Sequence, residues 1–180
     1  MDRRMSEPHS RRQDSAENLP RVSIVVPMRN EEKYIGACLA AIVAQDYAGH
    51  IEVLVVDGMS EDRSRSVVSR FAETYPFIRL LENPKYYAPS GLNIAIRHAP
   101  GDIIVRVDGH TILEPDYVRR CVETLQRTGA GNVGGLQRAI SQSYLGRAIA
   151  LTTHSPLAVG DSKYRYAQEE GEVDTVYLGA

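Results

Sequence analysis

The sequence predicts an α/β fold with a mainly parallel sheet covered by helices on both faces, and three observations carry that expectation. Short, mainly apolar runs rich in β-branched residues recur at Val22–Val26, Ile51–Val56 and Ile103–Val107; runs so short and so apolar mark buried strands of a parallel sheet. Segments with apolar residues at helical spacing lie between these runs. The alternation implies right-handed crossovers that place helices on both faces of the sheet.

The elements follow in order. Residues 1–20, dense in Arg, Ser, Asp and Glu, read as a disordered polar tail, and residues 21–180 as one domain. Val22–Val26 is the first strand, stopped by Pro27. After Asn30, a candidate helix N-cap, Glu31 and Glu32 would complement the helix dipole, and Ile35, Cys38, Leu39, Ile42 and Val43 mark the buried face of a first helix. The second strand ends at Asp57-Gly58, and Ser60 is placed to cap a helix carrying Val67, Val68 and Phe71. Phe77–Leu81 gives a weaker third strand, and Pro89–His98 a short helix closed by Pro100-Gly101. Ile103–Val107 is the fourth strand. Pro115 suits a first helical position ahead of Val118, Cys121, Val122 and Leu125, and Gly129 suits a left-handed helix end. Val133–Leu136 reads as a fifth strand, Ser141–Gly171 as extended or loop, and Val173–Leu178 as a terminal strand.

Composition narrows the function. A net charge of -2, with 43% hydrophobic and 24% charged residues, is that of an ordinary soluble α/β protein. It offers no basic field of the kind that binding to nucleic acid requires. Cys38 and Cys121 fall at helical spacing among apolar residues, as buried unpaired thiols of a reducing, cytoplasmic compartment would. No run of about eighteen apolar residues is present to span a membrane.

Ligands of parallel sheets bind beyond the carboxyl ends of the strands. That rule selects Pro27–Glu31, Asp57–Ser60 and Asp108–His110. Neither a glycine-rich dinucleotide turn nor a Walker A lysine follows the first strand. Carboxylates there can instead hold a nucleotide base by hydrogen bonds, or a metal that offsets pyrophosphate charge. Asp57 and Asp108 are placed for those two tasks. Arg106, two residues before Asp108 on the same strand face, is expected to pair with a cleft carboxylate or with phosphate, a structural ion pair being the favoured reading. Lys85, Tyr86 and Tyr87, in the loop after the third strand, read as a solvated loop, with a sugar or phosphate contact as the alternative, and Asn93 is placed where it could face the cleft or hydrogen-bond at the edge of the core.

Three strings, Val22 to Glu32 (VSIVVPMRNEE), Val55 to Asp62 (VVDGMSED) and Gly101 to His110 (GDIIVRVDGH), resemble family 2 glycosyltransferases in order and spacing. Together with the terminal segment Gly171–Ala180, they look closest to bacterial exopolysaccharide enzymes of the succinoglycan type. The resemblance implies a GT-A, Rossmann-like three-layer α/β/α fold, here the donor-binding part without the C-terminal acceptor part. It assigns nucleotide-sugar contacts to Pro27, Asn30, Glu31, Asp57 and Asp108. Family members place an Asp-X-Asp triplet where this chain has Asp108-Gly109-His110, which implies a divalent ion, Mn2+ or Mg2+, at Asp108 and His110. Imidazole favours the softer Mn2+; alternatively, His110 merely closes the loop toward solvent.

The implied function is inverting transfer of a hexose from a nucleoside-diphosphate sugar, a uridine derivative, to a saccharide or lipid-linked acceptor in extracellular polysaccharide synthesis. The family's general base lies beyond the strand that Val173–Leu178 would form, so it is expected after Ala180, along with any peripheral attachment to the inner membrane face. Two other readings stay open: a nucleotidyltransferase that makes the sugar nucleotide, and a non-catalytic nucleotide-sugar-binding fragment.

Overall fold

A computed structural model describes residues 18–140, 143–152, 165–166 and 169–180. The elements are β1 (Val22–Met28), α1 (Ile35–Val43), β2 (Ile51–Asp57), α2 (Ser64–Thr74), β3 (Ile78–Glu82), α3 (Ala88–His98), β4 (Ile103–Arg106), α4 (Tyr117–Thr128) and α5 (Tyr144–Thr152). The chain divides into two compact units between Val122 and Glu123.

The first unit is the parallel α/β assembly. Its four strands run in the order β3-β2-β1-β4, and every pair is parallel. Register aligns the strand ends that matter: Met28 pairs with Asp57 and Asp57 with Glu82, while β4 pairs with β1 only as far as Val25 opposite Arg106. Val25, Leu54 and Val56 pack with Ala95 of α3 on one face of the sheet. Ile24, Val26, Val53 and Val55 point by alternation to the other face and are at most 1% exposed, so both faces are covered. The chain steps outward from β1 through β2 to β3, then returns to the opposite side for β4. The topological switch point therefore lies between β1 and β4, and a crevice opens there at the carboxyl ends.

Several element boundaries differ from the sequence expectation. Helix α1 starts at Ile35, because Asn30 takes a left-handed backbone (φ 54°) and Glu31 O accepts from Tyr34 N and Ile35 N, each at 2.9 Å. An N-cap needs extended φ/ψ, so Asn30 is not one. Glu31 and Glu32 belong to a turn ahead of the helix. Ser60 does not cap α2 either; Asp62 Oδ1 accepts from Ser64 N at 2.9 Å and from Ser64 Oγ at 2.5 Å.

In the second unit Gly129, with φ 67°, ends α4 as expected. The strands expected at Val133–Leu136 and Val173–Leu178 are absent among the described residues. Their place is taken by an isolated antiparallel bridge, Gly134 with Gly179, where Val133 and Ala180 exchange backbone hydrogen bonds of 3.0 and 2.9 Å. A Cβ on Gly134 would lie 2.5 Å from Leu178 O, so the close approach depends on glycine. Helix α5 occupies part of the segment expected to be extended. Its Tyr144, Leu145, Ile149 and Leu151 are exposed. The expectations for residues 1–17, 141–142, 153–164 and 167–168 lie outside the described residues.

Candidate functional site

A cleft opens at the switch point. The β1 end supplies Pro27, Met28, Arg29 and Glu31; the extension of β4 supplies Arg106, Asp108, Gly109 and His110; the loop after β3 supplies Asn83 and Tyr86.

Asp108 is steered by two neighbours. Arg106 Nε and Nη2 donate to Asp108 Oδ1 at 3.2 and 3.0 Å, the ion pair that their two-residue spacing on one strand face makes possible. Behind it, Thr111 N donates to Asp108 O at 2.9 Å, and the Cys38 thiol approaches the same carbonyl at 3.7 Å. Burial, above all, pushes the Cys38 thiol up to about 12, with the charges of Glu31 and Asp108 adding to the effect. The thiol therefore stays protonated and can act as a donor. Gly109 lets the two loops close up, since a Cβ there would meet Glu31 Cγ and Met28 Cβ at 3.4 Å. Across that gap His110 Nδ1 sits 3.0 Å from Glu31 Oε1.

Glu31 is positioned by a latch between the loops after β1 and β2. Five hydrogen bonds cross it among the described residues: Asn30 N to Ser60 Oγ, Glu31 N to Ser64 Oγ, Glu32 N to Asp62 Oδ2, Glu61 N to Asn30 Oδ1 and Arg63 N to Glu32 Oε2. Asn30 can serve both as donor and as acceptor because its left-handed backbone turns the amide and side chain to the same loop. Asn tolerates that conformation better than most residues do.

Asp57 is fully buried below this latch. Its carboxylate accepts from Ser60 N, Ser60 Oγ and Arg65 Nη1, and Arg65 Nη2 continues to Glu82 at 2.8 Å. A buried charge needs this pairing. A nucleotide base would reach Asp57 only if Ser60 or Arg65 gave way.

The structure thus brings Pro27, Glu31, Asp108 and His110 to one cleft. Asn30 and Asp57 support its walls without lining it. Asn93 is exposed on α3 and lines nothing here. Sequence reasoning gave Arg29, inside the selected Pro27–Glu31 run, no role of its own and favoured a solvated loop for Tyr86; their side chains meet in a cation–π contact with the guanidinium carbon 5.0 Å from the ring centroid. The available signal was their placement in loops that follow strands, the same rule that selected Asp57 and Asp108.

No group of three His, Cys, Asp or Glu side chains converges on one point among the described residues. The donor set therefore does not make a closed protein cage. Asp108 and His110 line the same cleft, so an ion held by them would keep coordination positions open to a ligand.

The chain matches the family model described as glycosyl transferase family 2 over residues 23–173. Among curated proteins, it is 31% identical over 166 residues to a Methanococcus voltae dolichyl N-acetyl-alpha-D-glucosaminyl phosphate 3-beta-D-2,3-diacetamido-2,3-dideoxy-beta-D-glucuronosyltransferase, covering 88% of this chain and 51% of that protein. It is 31% identical over 144 residues to the succinoglycan biosynthesis protein ExoA of Rhizobium meliloti, covering 79% and 44%. The chain thus spans about half the length of the curated relatives it matches. Among solved structures, the mannosyltransferase PcManGT of Pyrobaculum calidifontis, in complex with GDP-Man and Mn2+, superposes with a TM-score of 0.62 at 35% identity, covering 67% of this chain and 36% of that one. S. aureus TarS in complex with UDP-GlcNAc superposes at 0.60 and 20% identity over 68% of this chain and 36% of that one, a likeness of fold alone.

Proposed function

Because the chain belongs to glycosyl transferase family 2, we propose that its cleft binds a nucleoside-diphosphate sugar as the donor of a hexosyl transfer. One observation carries the reading: at the switch point between β1 and β4, Asp108 and the Glu31–His110 pair face a crevice that also contains two arginines. Acids alone would repel a diphosphate. Acids together with arginines and a divalent ion accept one.

Asp108 and His110 would hold that ion, Mn2+ or Mg2+, with the diphosphate completing its shell. When bound, it offsets the charge that builds on the departing nucleoside diphosphate. Arg106 fixes the rotamer of the Asp108 carboxylate, and Glu31 orients the His110 ring by taking its Nδ1 side, leaving Nε2 as the nitrogen available for ligation. Glu31 is itself fixed through its backbone N–H on Ser64. The mannosyltransferase complexed with GDP-Man and Mn2+ supports this reading of the site.

The finer proposal is inverting transfer from a uridine derivative to a saccharide or lipid-linked saccharide in extracellular polysaccharide synthesis, on the cytoplasmic side of the membrane. The similarity to succinoglycan protein ExoA supports the product class. Among the described residues no helix is long and apolar enough to cross a membrane. Pro27 and Glu31 contact the nucleotide directly in this account, while Asn30 and Asp57 hold the loops that receive it. A nucleotidyltransferase is disfavoured, because Pro27-Met28-Arg29-Asn30 stands where a glycine-rich phosphate loop would follow β1. Thermal-shift screening with UDP- and GDP-sugars, with and without Mn2+, tests the proposal. Stabilisation by at least one sugar nucleotide that is larger with the metal supports it, and no shift with any of them refutes it.

A further inference from the structure

Tyr86 is held in a backbone conformation that a bulky residue rarely adopts, and the surrounding loop is built to keep it there. Its φ is 66°, strained for any side chain with a Cβ. Asn83, 1% exposed, anchors the loop: its Nδ2 donates to Tyr87 O at 2.9 Å, and its Oδ1 accepts from Lys85 N at 3.2 Å and Ser90 Oγ at 2.7 Å. Tyr86 N donates to Asn83 O at 3.2 Å. On the other side Gly58 lets the Tyr86 carbonyl approach, since a Cβ at Gly58 would lie 2.9 Å from that oxygen. All this structure presents one half-exposed aromatic ring to the cleft, and Arg29 covers that ring.

Arg29 differs from the cleft's other arginine. Arg106 is committed to Asp108, whereas Arg29 makes no ion pair among the described residues and rests on a ring instead. A cation–π contact at an exposed site is weak and easily exchanged.

We infer that Arg29 and Tyr86 form an exchange clamp for the nucleoside diphosphate: the base takes the face of Tyr86 that the Arg29 guanidinium covers, and the freed guanidinium moves onto the diphosphate. The inference rests on the donor-binding reading above and deepens it. Each partner of the resting contact is replaced by a better one, because a base stacks on an aromatic face more strongly than a solvated guanidinium does, and a guanidinium pairs more strongly with phosphate than with a ring. The clamp thereby favours ligands that carry both a base and a phosphate over ligands that carry only one.

Calorimetric titration of UDP, uridine and inorganic pyrophosphate in Mn2+ buffer, with GDP in parallel, tests the exchange in the parent chain and in three variants. Tyr86→Gly removes the ring and also relieves the left-handed strain, so its folding is not at risk. It is expected to keep the parental melting temperature or exceed it, to lose about tenfold or more in affinity for UDP, and to bind pyrophosphate as the parent does. Tyr86→Phe keeps the ring and should keep the UDP affinity. Arg29→Gln should weaken UDP and pyrophosphate, yet bind uridine as tightly as the parent or more tightly, since the ring is uncovered. Parental UDP affinity in Tyr86→Gly overturns the stacking role. Weakened uridine binding in Arg29→Gln overturns the exchange, because the guanidinium would then be clamping the base itself. A parent chain that binds neither diphosphate nor pyrophosphate removes the donor-binding reading as well, an outcome distinct from both.

Discussion

His110 Nδ1 lies 3.0 Å from Glu31 Oε1, although the two residues are 79 positions apart in sequence. The contact joins the loop after β1 to the extension of β4 at the point between β1 and β4 where the strand order reverses. It also decides which imidazole nitrogen is left for a metal. His110→Ala should therefore weaken Mn2+-supported nucleoside-diphosphate binding more than Mg2+-supported binding, because the harder ion depends less on nitrogen. Glu31→Gln, which keeps a hydrogen-bond acceptor, should have a smaller effect. Titrations with each metal check this; an equal loss with both ions would remove imidazole from the metal shell.

Asp57 should matter to stability as well as to binding. Asp57→Ala strips the charge partner from Arg65 and leaves Ser60 N without its acceptor. Breaking a buried pair costs about 3–5 kcal/mol, and the partial exposure of Arg65 reduces that to about 2–3 kcal/mol. Urea denaturation measures it. Undiminished stability would mean that Asp57 is not the structural post its contacts describe, and would return it to direct recognition of the base.

The latch should weaken in acid. Burial raises the Asp62 carboxyl, but hydrogen bonds from Ser64 Oγ, Ser64 N and Glu32 N together outweigh it and hold the group below the usual carboxylate range. A depressed folded value means that the stabilisation is fully present above the unfolded value, about 3.9, and is lost as pH falls through the lower folded one. Asp62→Asn should thus be less stable than the parent at pH 6, with the gap closing below about pH 4. Melting temperatures across that range check it; a gap that persists in acid would show that the charge contributes nothing.

Both cysteines should be inert while the chain is folded. Burial pushes Cys38 up to about 12 and Cys121 up to about 11. Thiolate is the reactive form, so a disulfide-exchange reagent at pH 8 should label neither until denaturant is added. Rapid labelling of the native chain would contradict the burial of both.

The sheet was legible in the sequence because buried parallel strands carry an unmistakable apolar run, and their carboxyl ends locate the cleft. That reasoning reached Pro27, Glu31, Asp108 and His110. It also paired Arg106 with a cleft carboxylate, since a two-residue spacing on a strand puts both side chains on one face. It failed where the local pattern has two solutions. Asn30 before two glutamates reads as a helix cap, yet its side chain is used by Glu61 N and its backbone is left-handed. Ser60 likewise serves Asp57 instead of α2. Tyr86 is marked in the sequence only by its place in a loop after a strand, because its strained backbone is held by Asn83 and Gly58, which only the folded chain brings beside it. Helix α5 was read as part of an extended segment, and the Gly134–Gly179 bridge escaped because two glycines do not announce a strand.

The central claim is that Asp108 makes diphosphate binding depend on a divalent ion, and Asp108→Asn tests it with little change of shape. UDP and GDP affinities should be measured by calorimetry for parent and variant, each with Mn2+ and with chelator. The account predicts that the metal strengthens binding of at least one nucleotide to the parent, and that most of this gain disappears in Asp108→Asn. A variant in which Mn2+ strengthens binding as much as in the parent would contradict it.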